Sequence, residues 1–189
     1  MNTGTVIIIT APSGAGKTSI TRYLLQQFPQ LRFSVSAATR VQRQGEVNGK
    51  DYHFITVSEF QQKINEEAFI EWEMVYEGKY YGTLKSELAK IWIGGNTPLL
   101  DIDVKGAIHV QQQFPNTSLS VFIQAPSVNE LKRRLNSRGT ETPESLQTRI
   151  SKASYEMSFK DNFDVIIVND VLDRAQKEAA KRVEDFFTQ

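Results

Sequence analysis

Short, uniformly apolar runs along the chain alternate with longer stretches in which apolar positions recur every three or four residues. The β-branched run at 5–10 predicts a strand buried on both faces. Similar runs at 97–102, 119–124 and 165–168 predict further strands. Helical spacing follows at 17–27, ending before Pro29, and then at 104–113, 128–138 and 172–187. Repeated strand–helix units predict an α/β fold: a parallel sheet with right-handed crossovers, flanked by helices. Ser127 or Asn129 can cap the third helix, and Asp170 or Asp173 the last. The last helix carries an apolar stripe (Ala175, Ala179, Val183, Phe186, Phe187) that is expected to lie on the core.

Two stretches break the rhythm. Between 33 and about 83, short alternating segments (33–36, 52–55, 69–74, 79–82) surround one helix near 58–66, with turn chemistry at Asn48-Gly49 and Glu77-Gly78. This pattern predicts a small mixed α+β insertion. Between 138 and 160, a polar segment opens with Arg-Gly-Thr-Glu-Thr-Pro and continues as a basic helix, the composition of a mobile, helical lid. The expected layout is a core at 1–32, 84–126 and 161–189, an insertion at 33–83 and a lid region at 127–160.

Charge narrows the partners. With 22 basic and 22 acidic side chains the formal net charge is zero. That balance argues against holding long nucleic acid by bulk charge, but not against a small anion met by a few clustered cations. Cysteine is absent, which excludes disulfides and thiolate metal sites and fits a reducing compartment. The N-terminal apolar run is too short for a signal peptide or a membrane span, and no stretch approaches the ~20 apolar residues that spanning needs. A cytoplasmic protein with no membrane partner and no obligatory protein partner is expected.

Between the first strand and the first helix lies Ala11-Pro12-Ser13-Gly14-Ala15-Gly16-Lys17-Thr18. This is a phosphate-loop pattern, with Ala11 where the strict form has glycine. Backbone N–H groups and the positive helix N-terminus suit the β-phosphate of ATP. Gly14 and Gly16 permit close approach, Lys17 can bridge the β- and γ-phosphates, and the Thr18 hydroxyl can face Mg²⁺. The strand at 97–102 runs into Asp101 and Asp103. At the C-terminal edge of a parallel sheet either carboxylate can hold the metal or its waters, while Asp103 can instead cap the next helix.

The insertion carries Ser-x-Ser-x-x-Thr-Arg-x-x-Arg from Ser34 to Arg43 and Gly-Glu-x-x-Gly-x-Asp-Tyr from Gly45 to Tyr52. Phe-Ile-Glu-Trp follows from Phe69, and Tyr-Tyr-Gly-Thr from Tyr80. With Leu-Asp-Ile-Asp from Leu100 and Arg-Gly-Thr-Glu-Thr from Arg138, these motifs resemble guanylate kinase, in register from Val6 to Asp170. The resemblance implies a phosphate-loop NTPase core, a GMP-binding insertion, and ATP-dependent phosphorylation of GMP or dGMP in purine nucleotide metabolism. By matching position it implies that Ser36 and Glu71 read guanine. Arg40, Arg43, Tyr52 and Tyr81 would bind the GMP phosphate, with Thr83 near the base and Asp101 also on the GMP side. Asn169 would lie near the adenine. Lys17, Arg40, Arg138 and Arg149 would be catalytic, the last two reaching the transferring phosphate from the lid.

The chemistry agrees with that resemblance. Guanine presents N1–H and N2–H₂ donors that one carboxylate can accept together, and an O6 to which a hydroxyl can donate. Adenine, with an acceptor at N1, would leave the same carboxylate unpaired, a mismatch that can cost up to ~10⁴-fold. Arginine forks suit a phosphate dianion. The acceptor is itself an anion, so no catalytic histidine is needed. His53 reads as a strand-surface residue and His109 as a helix residue rather than ligands, and Trp72, Tyr80 and Trp92 as packing. Two alternatives stand beside this reading: a phosphate-loop kinase with another acceptor, and a non-catalytic guanylate-kinase-like module that binds protein partners.

Overall fold

All five residues of the strand Val6–Thr10 are buried, which a strand achieves only when both faces of its sheet are covered. The computed structural model describes residues 4–136 and 143–188. In chain order the elements are Val6–Thr10 (β1), Lys17–Gln27 (α1), Leu31–Phe33 (β2), Ala37–Ala38 (β3), His53–Phe54 (β4), Val57–Asn65 (α2), Phe69–Tyr76 (β5) and Lys79–Leu84 (β6). There follow Lys85–Ile93 (α3), Thr97–Asp101 (β7), Val104–Gln113 (α4), Ser118–Gln124 (β8), Val128–Asn136 (α5), Pro143–Met157 (α6), Val165–Val168 (β9) and Leu172–Phe187 (α7).

The main sheet has five strands in the order β2-β7-β1-β8-β9, all parallel. Alternation along β1 sends Ile7 and Ile9 to one face, against Ile20 and Leu24 of α1 and Ala175, Ala179 and Val183 of α7. Val6 and Ile8 go to the other face, against Leu88 of α3 and Val104, Ala107 and Val110 of α4. The helix-flanked parallel sheet is the expected fold, and the apolar stripe of α7 lies on its core with Phe186 and Phe187 packed beside it.

Residues 37–84 supply a second, four-stranded sheet ordered β4-β3-β6-β5. Only β3 and β4 run parallel there; the other neighbours are antiparallel, so the sheet is mixed. Helix α2, started by a Thr56–Glu59 capping box, covers it with Phe60. That ring stacks on Phe69 with centroids 4.3 Å apart and meets Tyr80 at 5.3 Å.

The structure departs from the sequence reading in four places. The strand expected at 33–36 divides: β2 pairs with β7 in the main sheet through Phe33 and Leu99, and only Ala37 and Ala38 join the small sheet. Two short alternating patterns abut here and read as one. Helix α3 was not expected, because only Leu88 and Ile91 of it are buried and so narrow a stripe gives little periodicity. Trp72, on the edge strand β5, is packed only in part: its ring meets that of Tyr80 with centroids 6.2 Å apart, yet it stays 42 % exposed, whereas Trp92 donates to Thr5 O and packs against Phe114. Neither Asp170 nor Asp173 caps α7: the capping position is Val171, without a side-chain bond, and Asp170 instead accepts from the Val171 N–H. Ser127 does cap α5, accepting from Glu130 N–H at 3.1 Å. Among the described residues no helix is long and apolar enough to cross a membrane.

Candidate functional site

Strands β1 and β7 end side by side, with Ile9 in register with Asp101. Asp101 therefore emerges beside the loop that follows β1, at the carboxyl edge of the sheet where α/β folds bind ligands. The loop turns through Gly14 and Gly16 at φ 88° and 99°, values that favour glycine. The Gly16 carbonyl accepts the N–H groups of Ser19 and Ile20 to start α1, so the helix N-terminus opens on the loop. Lys17, the first residue of α1, pairs with Asp101 and donates to Ile102 O at 3.2 Å. Burial disfavours its ammonium, but the charge and hydrogen bond of Asp101 outweigh that and hold its pKa above the ordinary lysine value. Thr21 Oγ1 sits 3.5 Å from the second Asp101 oxygen. Asp103 caps α4, its Oδ1 accepting from Gly106 N–H at 2.9 Å.

The small sheet and the residues leading into its strands supply most of the rest of the lining. Together they enclose a cleft of about 370 Å³. Ser36, Tyr52, Glu71 and Tyr81 line it together with Lys17, Thr18, Asp101 and Asp103. Of the loop, Ala11, Pro12, Ser13, Gly14 and Gly16 also face the cleft, while Ala15 is fully buried. Glu71 is only 5 % exposed. Its Oε1 accepts the hydroxyl of Thr83 at 2.6 Å. Burial pushes this carboxyl up to about 7, with the Thr83 bond opposing and the charge of Asp103 adding to the rise. Tyr52 meets Tyr81 edge-on at 5.9 Å, and burial raises its hydroxyl as well.

The other candidates are not among the described residues that line the cleft. Thr83 is fully buried and supports Glu71. Arg40 forms a two-pronged pair with Glu46, both contacts at 2.6 Å, and its guanidinium lies 4.9 Å from the Tyr52 ring centre. The Arg40 hydrogen bond pulls Glu46 down to about 2. Arg43 offers its backbone N–H to Glu46 at 2.8 Å and its side chain is exposed. Asn169 lies beneath the loop, its side-chain amide on Ala15 O at 2.8 Å. Arg149 of α6 reaches the loop, Nη1 to Ser13 Oγ at 3.4 Å. Arg138 lies outside the described residues.

Three further residues of the site carry little sequence signal. Glu46, which fixes Arg40, stands inside the Gly-Glu motif that signals it. Gly106 is a glycine within a helix; a Cβ there would lie 2.6 Å from Glu71 Oε2, so its absence makes room for that carboxylate. Glu156 of α6 is 8 % exposed and lines the cleft. Burial raises its carboxyl, with Lys152 opposing from 3.7 Å. Its one sequence signal is the seven-residue spacing from Arg149, which puts both on one helix face. The whole arrangement can hold an anion on the loop and a hydrogen-bond donor edge on Glu71 within one enclosure.

A family model described as guanylate kinase matches residues 3–186. Guanylate kinase of Bacteroides fragilis (strain ATCC 25285) is 44 % identical over 181 residues, covering 96 % of this chain and 89 % of the relative. The Salinibacter ruber guanylate kinase is 45 % identical over 183 residues, covering 97 % of each chain. Among solved structures, the crystal structure of guanylate kinase from Anaplasma phagocytophilum superposes with a TM-score of 0.75 at 29 % identity, covering 98 % of this chain and 85 % of that one.

Proposed function

The chain belongs to the guanylate kinase family, which transfers the γ-phosphate of ATP to GMP, and we propose how its own residues carry that transfer. As an ATP:GMP phosphotransferase it yields ADP and GDP. An oxygen of the GMP phosphate attacks the γ-phosphorus, the bond from that phosphorus to the β,γ-bridging oxygen breaks, and ADP leaves. The residues need only position the two anions and neutralise their charge. Loop 11–18 holds the β-phosphate with its backbone N–H groups, and Lys17 exchanges Asp101 for the β- and γ-phosphates. Arg40, Arg43, Tyr52 and Tyr81 hold the GMP phosphate, with Glu46 keeping the Arg40 fork in place. Arg149, with Arg138, neutralises the transferring phosphoryl group.

Guanine falls to Ser36 and Glu71, with Thr83 orienting the carboxylate. That buried carboxyl, fixed by Thr83 and lining the same cleft as the Lys17–Asp101 pair, is the observation that carries the reading. It accepts from N1–H and N2–H₂ together, which no other common base offers. Recognition through base and phosphate leaves room for dGMP as well. We place the reaction in the cytoplasm, where its nucleotide substrates are.

Thr18 and the carboxylates of Asp101 and Asp103 are hard oxygen donors, as Mg²⁺ prefers. All three border the loop, and Asp103 has one oxygen beyond its cap. These residues fit the ion. When bound, Mg²⁺ supplies charge neutralisation at the β- and γ-phosphates.

A coupled assay with ATP and each of GMP, AMP, UMP and CMP tests the proposal. GMP should be turned over at least ~10³-fold more efficiently than AMP. Equal rates with AMP would remove Ser36 and Glu71 from base recognition.

A further inference from the structure

We propose that Asn169 is a positioning residue for the phosphate loop: its side-chain amide pins the Ala15 carbonyl inward, which turns the Gly16 N–H toward the cleft. The inference rests on the triphosphate reading of loop 11–18.

Asn169 follows β9 directly and is 4 % exposed. Its own backbone is held twice. The N–H donates to Gln124 O at the end of β8 at 2.7 Å, and the carbonyl accepts from Arg134 Nη2 of α5 at 2.9 Å. From this anchored position Nδ2 donates to Ala15 O at 2.8 Å in a buried contact 154 residues away in sequence. The donor is thus committed to the loop, and Asn169 is not among the residues lining the cleft.

The Ala15–Gly16 peptide transmits the contact. In a trans peptide plane the C=O and N–H point in opposite directions. A carbonyl drawn into the core therefore directs the following N–H outward. Ala15 is fully buried while Gly16 lines the cleft, as that geometry requires. The N–H so presented is one of the groups that a phosphate at a helix N-terminus would accept from.

Two further features place the ordering role on Asn169. Helix α1 starts without a side-chain cap; its capping residue is Gly16, at φ 99°. No side chain of the loop's own fixes that turn. A Cβ added to Gly16 would run into Asn169 Nδ2, so the amide occupies the space a side chain would take. Gly16 and Asn169 are mutually fitted: the glycine admits the amide, and the amide sets the peptide.

Titration calorimetry with ATP, inorganic tripolyphosphate and GMP tests this on the full chain. Asn169→Ala should weaken ATP and tripolyphosphate by the same factor, about tenfold for one buried hydrogen bond lost, with GMP affinity unchanged. Asn169→Asp keeps the shape but sets an acceptor against the carbonyl, so it should weaken both at least as much. A loss for ATP with none for tripolyphosphate would overturn the proposal by moving Asn169 to the base. Wild-type affinities in Asn169→Asp would overturn it too, as would GMP binding that falls in step with ATP in both variants. A wild-type chain that binds neither ATP nor tripolyphosphate would defeat the reading of the loop, and this inference with it.

Discussion

Glu71 shows how one carboxyl can set opposite pH dependences for stability and for substrate use. Burial raises its pKa to about 7 from an ordinary value of 4.5, against the opposing Thr83 hydrogen bond. An acid raised by folding contributes stability that is present in full below its unfolded pKa and lost as pH rises through its folded pKa. The apo chain should therefore lose stability relative to Glu71→Gln between about pH 5 and 8, by on the order of 3 kcal/mol, as read from paired denaturant titrations. On the proposed reading guanine is bound by the ionised carboxylate, so the trend for GMP has the other sign. The competent fraction rises roughly tenfold between about pH 6 and 8, and KM for GMP should fall by a similar factor. Glu71→Gln should have a higher KM for GMP and should lack this component of the profile, which separates it from titration of the GMP phosphate. Parallel profiles in the two proteins would show that the Glu71 carboxyl does not gate GMP binding.

Helix α4 illustrates what a single element reveals and conceals. Alanine in place of a mid-helix glycine ordinarily adds about 1 kcal/mol of stability. At Gly106 the new Cβ would lie 2.6 Å from Glu71 Oε2 and 3.2 Å from its carboxyl carbon. Gly106→Ala should therefore destabilise the fold by roughly 1–3 kcal/mol and raise KM for GMP while leaving that for ATP unchanged. A more stable variant with unaltered steady-state constants would remove the contact. Nothing local to α4 foretells this, because the partner is on β5. The same division runs through the whole site. The β1–loop–α1 unit was legible because a buried strand, two glycines and a lysine are consecutive in sequence. Glu71, Ser36 and the arginines were legible only through their resemblance to family motifs. The Thr83–Glu71 bond spans 12 residues and the Asn169–Ala15 bond 154, and no periodicity records such pairings. The division of 31–38 between two sheets was hidden for a related reason: β2 and β3 are so short that their alternation cannot show where one sheet ends.

The net charge of zero conceals a division of labour between the walls of the cleft. The core supplies the loop and Lys17, and α6 brings Arg149 to that loop; Glu71 comes from the small sheet, and the Arg40–Glu46 pair from the segment between β3 and β4. Neither wall alone can align an acceptor oxygen with the γ-phosphorus. Water left between them would hydrolyse ATP instead. The small sheet should thus approach the core when both nucleotides are present, and less fully with one, because the second ligand completes the bridge between the walls. The absence of native cysteine makes this directly measurable. Gln61→Cys on the outer face of α2 and Lys181→Cys on α7 place two dyes on the two bodies, both at exposed positions. Energy transfer between them should increase modestly with GMP or a non-hydrolysable ATP analogue alone. With both it should increase further, to a single high-efficiency population. An unchanged distribution with both nucleotides, in a doubly labelled protein that retains turnover, would mean that the walls already stand at catalytic distance and that water is excluded by the bound nucleotides themselves.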